Sequence, residues 1–427
     1  MPIDDDDPRL MTPLEDRESQ AGGSKRLRWV SRGMLGIVLA TFFSDVGHEM
    51  VTATLPMYLG AIGLGAAALG FMEGLADLLF SLSKLAGGWV GHHTDKKRGF
   101  ATLGYLVTAL GTGAIALTQS LAALVSMRSA AWLGRGFRSP LRDFMLADEV
   151  GSTHFGRAYG IERAADMLGA VAGPLVAALL LWLGVDLRSV ILVSLVPSLL
   201  AATSFFTMTR NRPVQRTGDT ETKAAGRRLP RRFWIFTGGV ALFGVGDFSR
   251  TFLILLAAAA FGQTGGTTAG VVSVAVLMYA LHNAVSALAA YPAGHFGDRG
   301  SKLNVLVFGY GLGVATNTLL AFSFGAPSLL VIGIVLSGIY IAVEETLEKA
   351  VAAEMLPREK RSLGLGVLAS ANAVGDMLSS IGVGLLLAAG YQRTAFLIPA
   401  LFGLAGTLWM FGFARWHHNV APEASSS

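Results

Sequence analysis

Asp45, His48 and Glu49 stand within residues 33–60, a stretch that is otherwise almost wholly apolar. Spaced at i, i+3 and i+4, they share one face of a helix. If that helix crosses a bilayer, Asp45 lies near the midplane, where a charge costs at least about 3 kcal/mol. A charge kept at that cost points to chemistry. Carboxylates in such a place can take up and release protons as their access to water alternates. One imidazole beside two carboxylates also makes a ligand set compatible with Fe²⁺ or Mn²⁺, so Asp45, His48 and Glu49 form a candidate metal site.

Other apolar stretches repeat the theme. Asp247 and Arg250 share a stretch near 233–260, and Arg128 and Arg135 lie within 121–145. Glu344 and Glu348 fall on one face of 327–350, with Glu345 and Lys349 an i, i+4 pair. Asp45, His48, Glu49, Arg128, Asp247, Arg250, Glu344 and Glu345 are the candidate substrate- or proton-binding residues. Glu73, Asp77 and Lys84, the group Glu162, Arg163 and Asp166, and His282 with Asn283 are further polar groups inside apolar runs. For the group in 158–184, interhelical ion pairs that fix packing are the favoured reading. Arg135 and Arg142 fall nearer the end of their stretch and read as latches that change with state. His92, His93, His417 and His418 read as solvated.

These charges need helices that cross a membrane to position them. Of 427 residues, 52% are apolar and only 15% are Asp, Glu, Lys or Arg, and the mean hydropathy is +0.53. Soluble domains carry roughly 25% charged residues; lipid-facing surface removes that need. Spans of about 20 residues are expected near 33–60, 67–90, 100–119, 121–145, 158–184, 188–208, 233–260, 268–291, 303–324, 327–350, 364–389 and 393–414. The expected organisation is a polar N-terminal tail (1–32) without a signal peptide, a six-helix bundle (33–208), a basic linker (209–232), a second six-helix bundle (233–416) and a short tail (417–427). Lys and Arg crowd the linker and the connections at 91–99, 294–302 and 357–361, while the intervening connections carry almost none. Positive connections stay cytoplasmic, which places both termini in the cytoplasm. The absence of cysteine excludes disulfides and thiolate metal sites. No phosphate-binding loop or nucleophile elbow is present, and the extramembrane segments are too short for a catalytic domain. An enzyme is not expected, nor is a cofactor or a nucleic-acid partner.

The halves repeat. Asp166-Met-Leu-Gly169 aligns with Asn372-Ala-Val-Gly375, and Leu179-Leu180-Leu181 with Leu385-Leu386-Leu387, at an offset of 206. Asp95 aligns with Asp298 and Asp45 with Asp247 at offsets of 203 and 202. Gly91-His-His-Thr-Asp95-Lys96-Lys-Arg98-Gly99 follows the second span, and Gly294-His-Phe-Gly-Asp298-Arg299-Gly300-Ser-Lys302 follows the eighth. Both resemble the glycine–aspartate–basic loop motif of the major facilitator superfamily. The run from Arg128 to Asp148, Gly246-Asp247-Phe-Ser, and Glu344-Glu-Thr-Leu-Glu348-Lys349-Ala resemble signatures of a bacterial and archaeal subgroup of mostly unassigned substrate. Gly169-Ala-Val-Ala-Gly173-Pro174 resembles part of a motif of proton-linked exporters.

The resemblance implies an all-α membrane protein with twelve transmembrane helices in two pseudo-symmetric six-helix bundles. The charges of spans one, four, seven and ten would then meet in a central cavity. It makes Gly91, Asp95, Arg142, Gly294, Asp298 and Arg299 the expected gating residues, with the first copy weaker because Arg98 stands where a glycine is usual. The implied function is a secondary transporter working by alternating access, proton-coupled, moving a small solute across the bacterial inner membrane or an internal membrane derived from it. One alternative is a divalent-metal transporter for iron or manganese, for which the magnetosome membrane is a setting. The other is a non-transporting scaffold or receptor on the same fold, whose cavity charges would all be neutralised by fixed pairs.

Overall fold

The computed structural model describes residues 29–64, 66–212, 229–248, 252, 253, 256, 268–324 and 326–420. The described residues are almost all helical. Seven helices make the first half: α1 (Arg32–Ala61), α2 (Ala66–His93), α3 (Lys97–Ala114), α4 (Leu121–Glu149), α5 (Phe155–Trp182), α6 (Leu187–Val193) and α7 (Leu195–Met208). The second half holds α8 (Arg231–Gly244), α9 (Thr268–Arg299), α10 (Lys302–Ala321), α11 (Pro327–Met355), α12 (Arg358–Ala388) and α13 (Gln392–Val420). They account for twelve passes, α6 and α7 sharing one across a break at Ser194 and α8 opening another.

Local chemistry sets the ends. The Ser31 hydroxyl accepts from the Met34 amide at 2.9 Å and caps α1. Ser301 does the same for α10, and Pro327 occupies the first turn of α11, where its missing N–H is not needed. Gly184 (φ +85°) and Gly390 (φ +83°) close α5 and α12 in the left-handed conformation glycine adopts without strain. They are 206 residues apart, so the repeat extends to the caps.

Eight described helices are long and apolar enough to cross a membrane by composition alone. Trp182 and Leu288 remain 81% and 77% exposed; lipid, not water, accounts for apolar side chains left open on this scale. α4 is 29 residues long but less apolar, because it carries Arg128, Arg138, Arg142 and Asp143, all buried. Several charged groups expected in connections lie in helices instead. Arg358, Lys360 and Arg361 form the first turns of α12, and Asp298 and Arg299 the last turn of α9. Helices that project past the hydrocarbon leave only short links.

Packing follows the repeat. α1 packs on α5 and α7, α2 on α4, and α3 on α4 and α7; in the second half α8 packs on α12 and α13, α9 on α11, and α10 on α11 and α13. The halves meet along two equivalent seams, α5 against α9 and α2 against α12. Glycine makes them tight. A Cβ on Gly160 would stand 2.5 Å from the Ala290 carbonyl oxygen, and one on Gly88 would stand 3.0 Å from the Gly366 Cα. At the end that bears the α2–α3 and α9–α10 links, Gly294 meets the Gly156 backbone, and the equivalent Gly91 meets Ser362.

The two motif aspartates part company at this end. Asp298 accepts from the Gly156 and Arg157 amides at 2.8 and 2.9 Å, capping α5 across the seam, and pairs with Arg157 and Lys302 at 3.0 and 3.1 Å. Lys302 in turn reaches Glu354 at 2.6 Å. Asp95 is exposed and has no partner among the described residues. On its side the seam is held by Arg358, whose Nε reaches Asp148 at 2.5 Å, and by His92 Nδ1 at 2.8 Å from the Glu359 carbonyl oxygen. Arg142, expected as a latch partner, lies in the wall of the cavity between the halves and pairs with Glu162. Arg299 is exposed. The α3 amide that Asp95 might have answered is met by the linker: the Arg98 N–H donates to Asn211 Oδ1 at 2.8 Å.

Asp298→Asn is expected to lower stability by about 1–3 kcal/mol, because buried donors lose a charged acceptor, whereas Asp95→Asn leaves the melting temperature unchanged. Thermal melts of the purified variants check this, and equal effects would contradict the asymmetry. Gly294→Leu is expected to wedge this end apart. In the naturally cysteine-free chain an Ala290→Cys reporter, buried here on the same α5–α9 seam, should then react with a maleimide several-fold faster; an unchanged rate would show that the glycine contact does not close the seam.

Candidate functional site

A cavity of about 360 Å³ lies between the halves, walled by α1, α2, α4 and α5 on one side and by α9, α11 and α12 on the other. That size suits a small-molecule ligand. Aromatic rings cover part of it: Phe80 and Trp132 meet edge-on at 5.0 Å, and Tyr279 comes from α9.

Charges dominate the rest. Asp45 on α1 pairs with Arg135 on α4. Arg135 reaches Asp166 on α5 at 3.8 Å, Asp166 pairs with Arg163 at 2.7 Å, and Arg163 crosses the seam to Glu345 on α11 at 2.5 Å. The result is one alternating chain of five groups. A second network lies beside it. Arg142 pairs with Glu162 at 2.8 Å and Asp143 at 3.0 Å, and Lys349 from α11 approaches the same two carboxylates at 3.8 and 3.9 Å. Thr41 and Tyr159 add hydroxyls, donating to Glu162 at 3.3 Å and to the Asp143 carbonyl oxygen at 2.8 Å. Low dielectric makes each pair strong once formed and makes an orphaned charge costly. α5 supplies both networks because Glu162, Arg163 and Asp166 fall within one turn.

The candidate residues divide. Asp45, Glu49 and Glu345 line the cavity. His48 does not: its ring sits edge-on to Trp132 at 4.9 Å, and its Nδ1 is buried without a hydrogen bond. Arg128 is fully buried behind the same indole, 5.4 Å from its ring, and donates to Thr52 at 3.3 Å. Asp247 lies just past the end of α8 and accepts from the Tyr340 hydroxyl at 2.7 Å; Asn317 donates to the neighbouring Gly246 carbonyl at 2.7 Å. Glu344 is 1% exposed, and neither carboxylate oxygen has a hydrogen-bond partner. Arg250 and the side chains of Glu73 and Asp77 lie outside the described residues.

The metal site expected at Asp45, His48 and Glu49 is not assembled. Among the described residues no three His, Cys, Asp or Glu groups lie where they could hold a metal ion. Residues at i, i+3 and i+4 share a face without converging on a point, and here Asp45 turns to Arg135 while the imidazole turns to the indole.

Several cavity residues were misplaced or missed by sequence reasoning. Arg135 and Arg142, read as end latches, pair with carboxylates in the cavity wall. Glu345 and Lys349, expected to pair with each other, each bind the opposite half. Asp376 drew no notice, and Arg138 was read only as part of the run from Arg128 to Asp148. Asp376 had a signal: it stands one turn beyond Asn372, the repeat counterpart of Asp166, on the same helical face.

The profile of the Major Facilitator Superfamily matches residues 37–281 and 240–427. An uncharacterised MFS-type transporter of Methanocaldococcus jannaschii is 24% identical over 385 residues, covering 90% of this chain and 96% of that protein. An uncharacterised protein of Mycobacterium tuberculosis is 23% identical over 349 residues, or 79% of this chain and 81% of its own. Among solved structures, the Escherichia coli fucose:proton symporter FucP superposes with a TM-score of 0.71 at 14% identity, over 89% of this chain and 98% of that one. The proton:xylose symporter XylE superposes at 0.70 and 16%, over 90% and 94%. A bacterial homologue of the iron transporter ferroportin, in an outward-facing state, superposes at 0.69 and 15%, over 90% and 99%. At these identities the structures share a fold, and with the family profile spanning nearly its whole length the chain belongs to the Major Facilitator Superfamily.

Proposed function

We propose that this chain is a secondary active transporter of the bacterial inner membrane that moves a small solute by alternating access, coupled to the proton gradient. The observation that carries this reading is the five-member chain Asp45–Arg135–Asp166–Arg163–Glu345, which runs along the cavity wall and crosses from one half to the other. Positive loops stay cytoplasmic, so the tightly closed end faces the cytoplasm and the cavity faces outward. For the halves to rock, Arg163 must leave Glu345 and Lys349 must leave Glu162 and Asp143. A proton on Asp45 releases Arg135 toward Asp166; Asp166 then holds Arg163 less, and the pairs that span the seam redistribute. The cavity couples the two ends of the cycle because its charges are partners of one another.

The other readings gain less support. A divalent-metal carrier needs His48 in the cavity, and the imidazole faces Trp132 instead. A scaffold with every charge fixed in a pair is opposed by Arg138, Glu344 and Asp376, which have no ion-pair partner among the described residues.

The test needs no known solute. Spin labels on cysteines introduced at Thr94 and Ser301 report the width of the cytoplasmic end. The distance distribution is expected to shift between alkaline and acid pH in the otherwise native chain and to stop responding in Asp45→Asn. An unaltered pH response in a well-folded Asp45→Asn protein would remove Asp45 from the coupling. His48→Ala is expected to leave any stabilisation by manganous ion unchanged in a thermal melt; selective loss of such stabilisation would restore the metal reading.

A further inference from the structure

The cavity's charges do not all cancel locally, and those left over are sorted by half. The two networks occupy Asp45, Arg135, Asp166, Arg163 and Glu345, and Arg142, Asp143, Glu162 and Lys349. Glu49, one turn along α1 from Asp45, lies in the field of Arg135. On the wall of the first half, Arg138 and Lys84 remain. Arg138 stacks its guanidinium 3.7 Å over the Tyr105 ring and donates to the Ser44 hydroxyl at 2.7 Å, yet it meets no described carboxylate, and its Nη1 is buried without an acceptor. Lys84 lies 4.2 Å over the Phe80 ring and makes no ion pair with a described residue.

On the wall of the second half the remainder is acidic. Asp376 has a buried Oδ1 with no hydrogen-bond partner, and Glu348 is answered only by the Tyr310 hydroxyl at 2.5 Å. Asp247 and Glu344 add two further acidic side chains behind them. The cavity therefore presents Arg138 and Lys84 on one side and Asp376 and Glu348 on the other; Lys84 lies in the field of Asp376 across the gap, while Arg138 has no described carboxylate in ion-pair reach. A neutral sugar answers neither wall. An anion leaves the acidic wall unmatched, and an organic cation leaves Arg138 unmatched. A solute with both charges satisfies both, and Phe80, Trp132 and Tyr279 offer cover for an apolar side chain.

Resting on the transporter reading, we infer that the solute is a zwitterion of amino-acid or short-peptide size, with its carboxylate on Arg138 and its ammonium between Asp376 and Glu348. Bound in this way it bridges the halves, which is the requirement for a ligand that drives their closure.

Binding to the purified full-length protein, followed by thermal stabilisation, tests the assignment. The probes are phenylalanine, the dipeptide alanylphenylalanine, its N-acetyl derivative, its methyl ester, succinate, glucose and tetraethylammonium. The free dipeptide or phenylalanine is expected to bind at least about tenfold more tightly than either blocked form. Arg138→Gln should remove the preference over the ester, and Asp376→Asn the preference over the N-acetyl form. Arg138→Lys retains the charge and should keep the preference, and the Asp376 arm stands if the Arg138→Gln protein does not fold. Equal binding of a blocked form, binding confined to glucose, succinate or tetraethylammonium, or no binding by either zwitterion overturns the inference. Those outcomes leave the transporter reading standing, since that reading fails only if the cytoplasmic end ignores pH in the distance measurement.

Discussion

Charge buried in a medium that cannot solvate it governs this molecule. Every ionised group drawn away from water must meet an opposite charge or a set of donors, or be expelled. The apolar shell makes that rule strict; within the two networks the inward-facing charges of α1, α4, α5 and α11 obey it collectively, while Arg138 and Glu344 stand outside them without an ion-pair partner among the described residues. Arg163 cannot be removed from Glu345 without disturbing Asp166, and Asp166 not without disturbing Arg135. Helices that pack on one another through glycine and alanine acquire, from these charges, a preference for one arrangement of the halves.

The glycine contacts and the ion pairs divide the labour. The seams α5–α9 and α2–α12 bring backbone against backbone, which favours close approach but has little directional preference. The charged groups at the centre supply direction. Because the seams are related by the repeat, the fold could have closed symmetrically. It does not: one seam ends in a carboxylate that caps a helix, the other in an arginine that reaches across to Asp148. Arg98 in the first motif marks the difference, since the backbone around it is engaged by Asn211 and the aspartate beside it is left in water.

The fold was legible because its determinants are additive along the chain. Apolar length, sign of connecting charge and an offset of 206 residues each survive any error in the others, and the matched glycine caps at 184 and 390 extend the same offset. The site was legible only in part. That Asp45 and Glu345 face the shared cavity was anticipated from the cost of placing a charge inside an apolar span. Their partners did not follow, because a long arginine reaches several ångströms from its Cα and sequence does not record which way it turns. Arg135 was placed near the membrane edge by position, yet its side chain lines the cavity and pairs with Asp45. His48 shares a helical face with Asp45 by spacing, yet a bulky neighbour, Trp132, claimed it. Spacing places a residue on a face; what packs on that face decides its chemistry.

The unequal latches at the closed end have one more consequence. Asp298 is wholly sheltered and held largely by amides, whereas the Arg358 side chain that secures the other seam is 34% exposed. Mobile ions weaken an exposed pair and scarcely reach a sheltered one. Rising ionic strength on that face is therefore expected to weaken the Arg358–Asp148 pair before the Asp298 contacts, so that any salt-driven loosening of this end starts at α12 and leaves α5 and α9 as the fixed post.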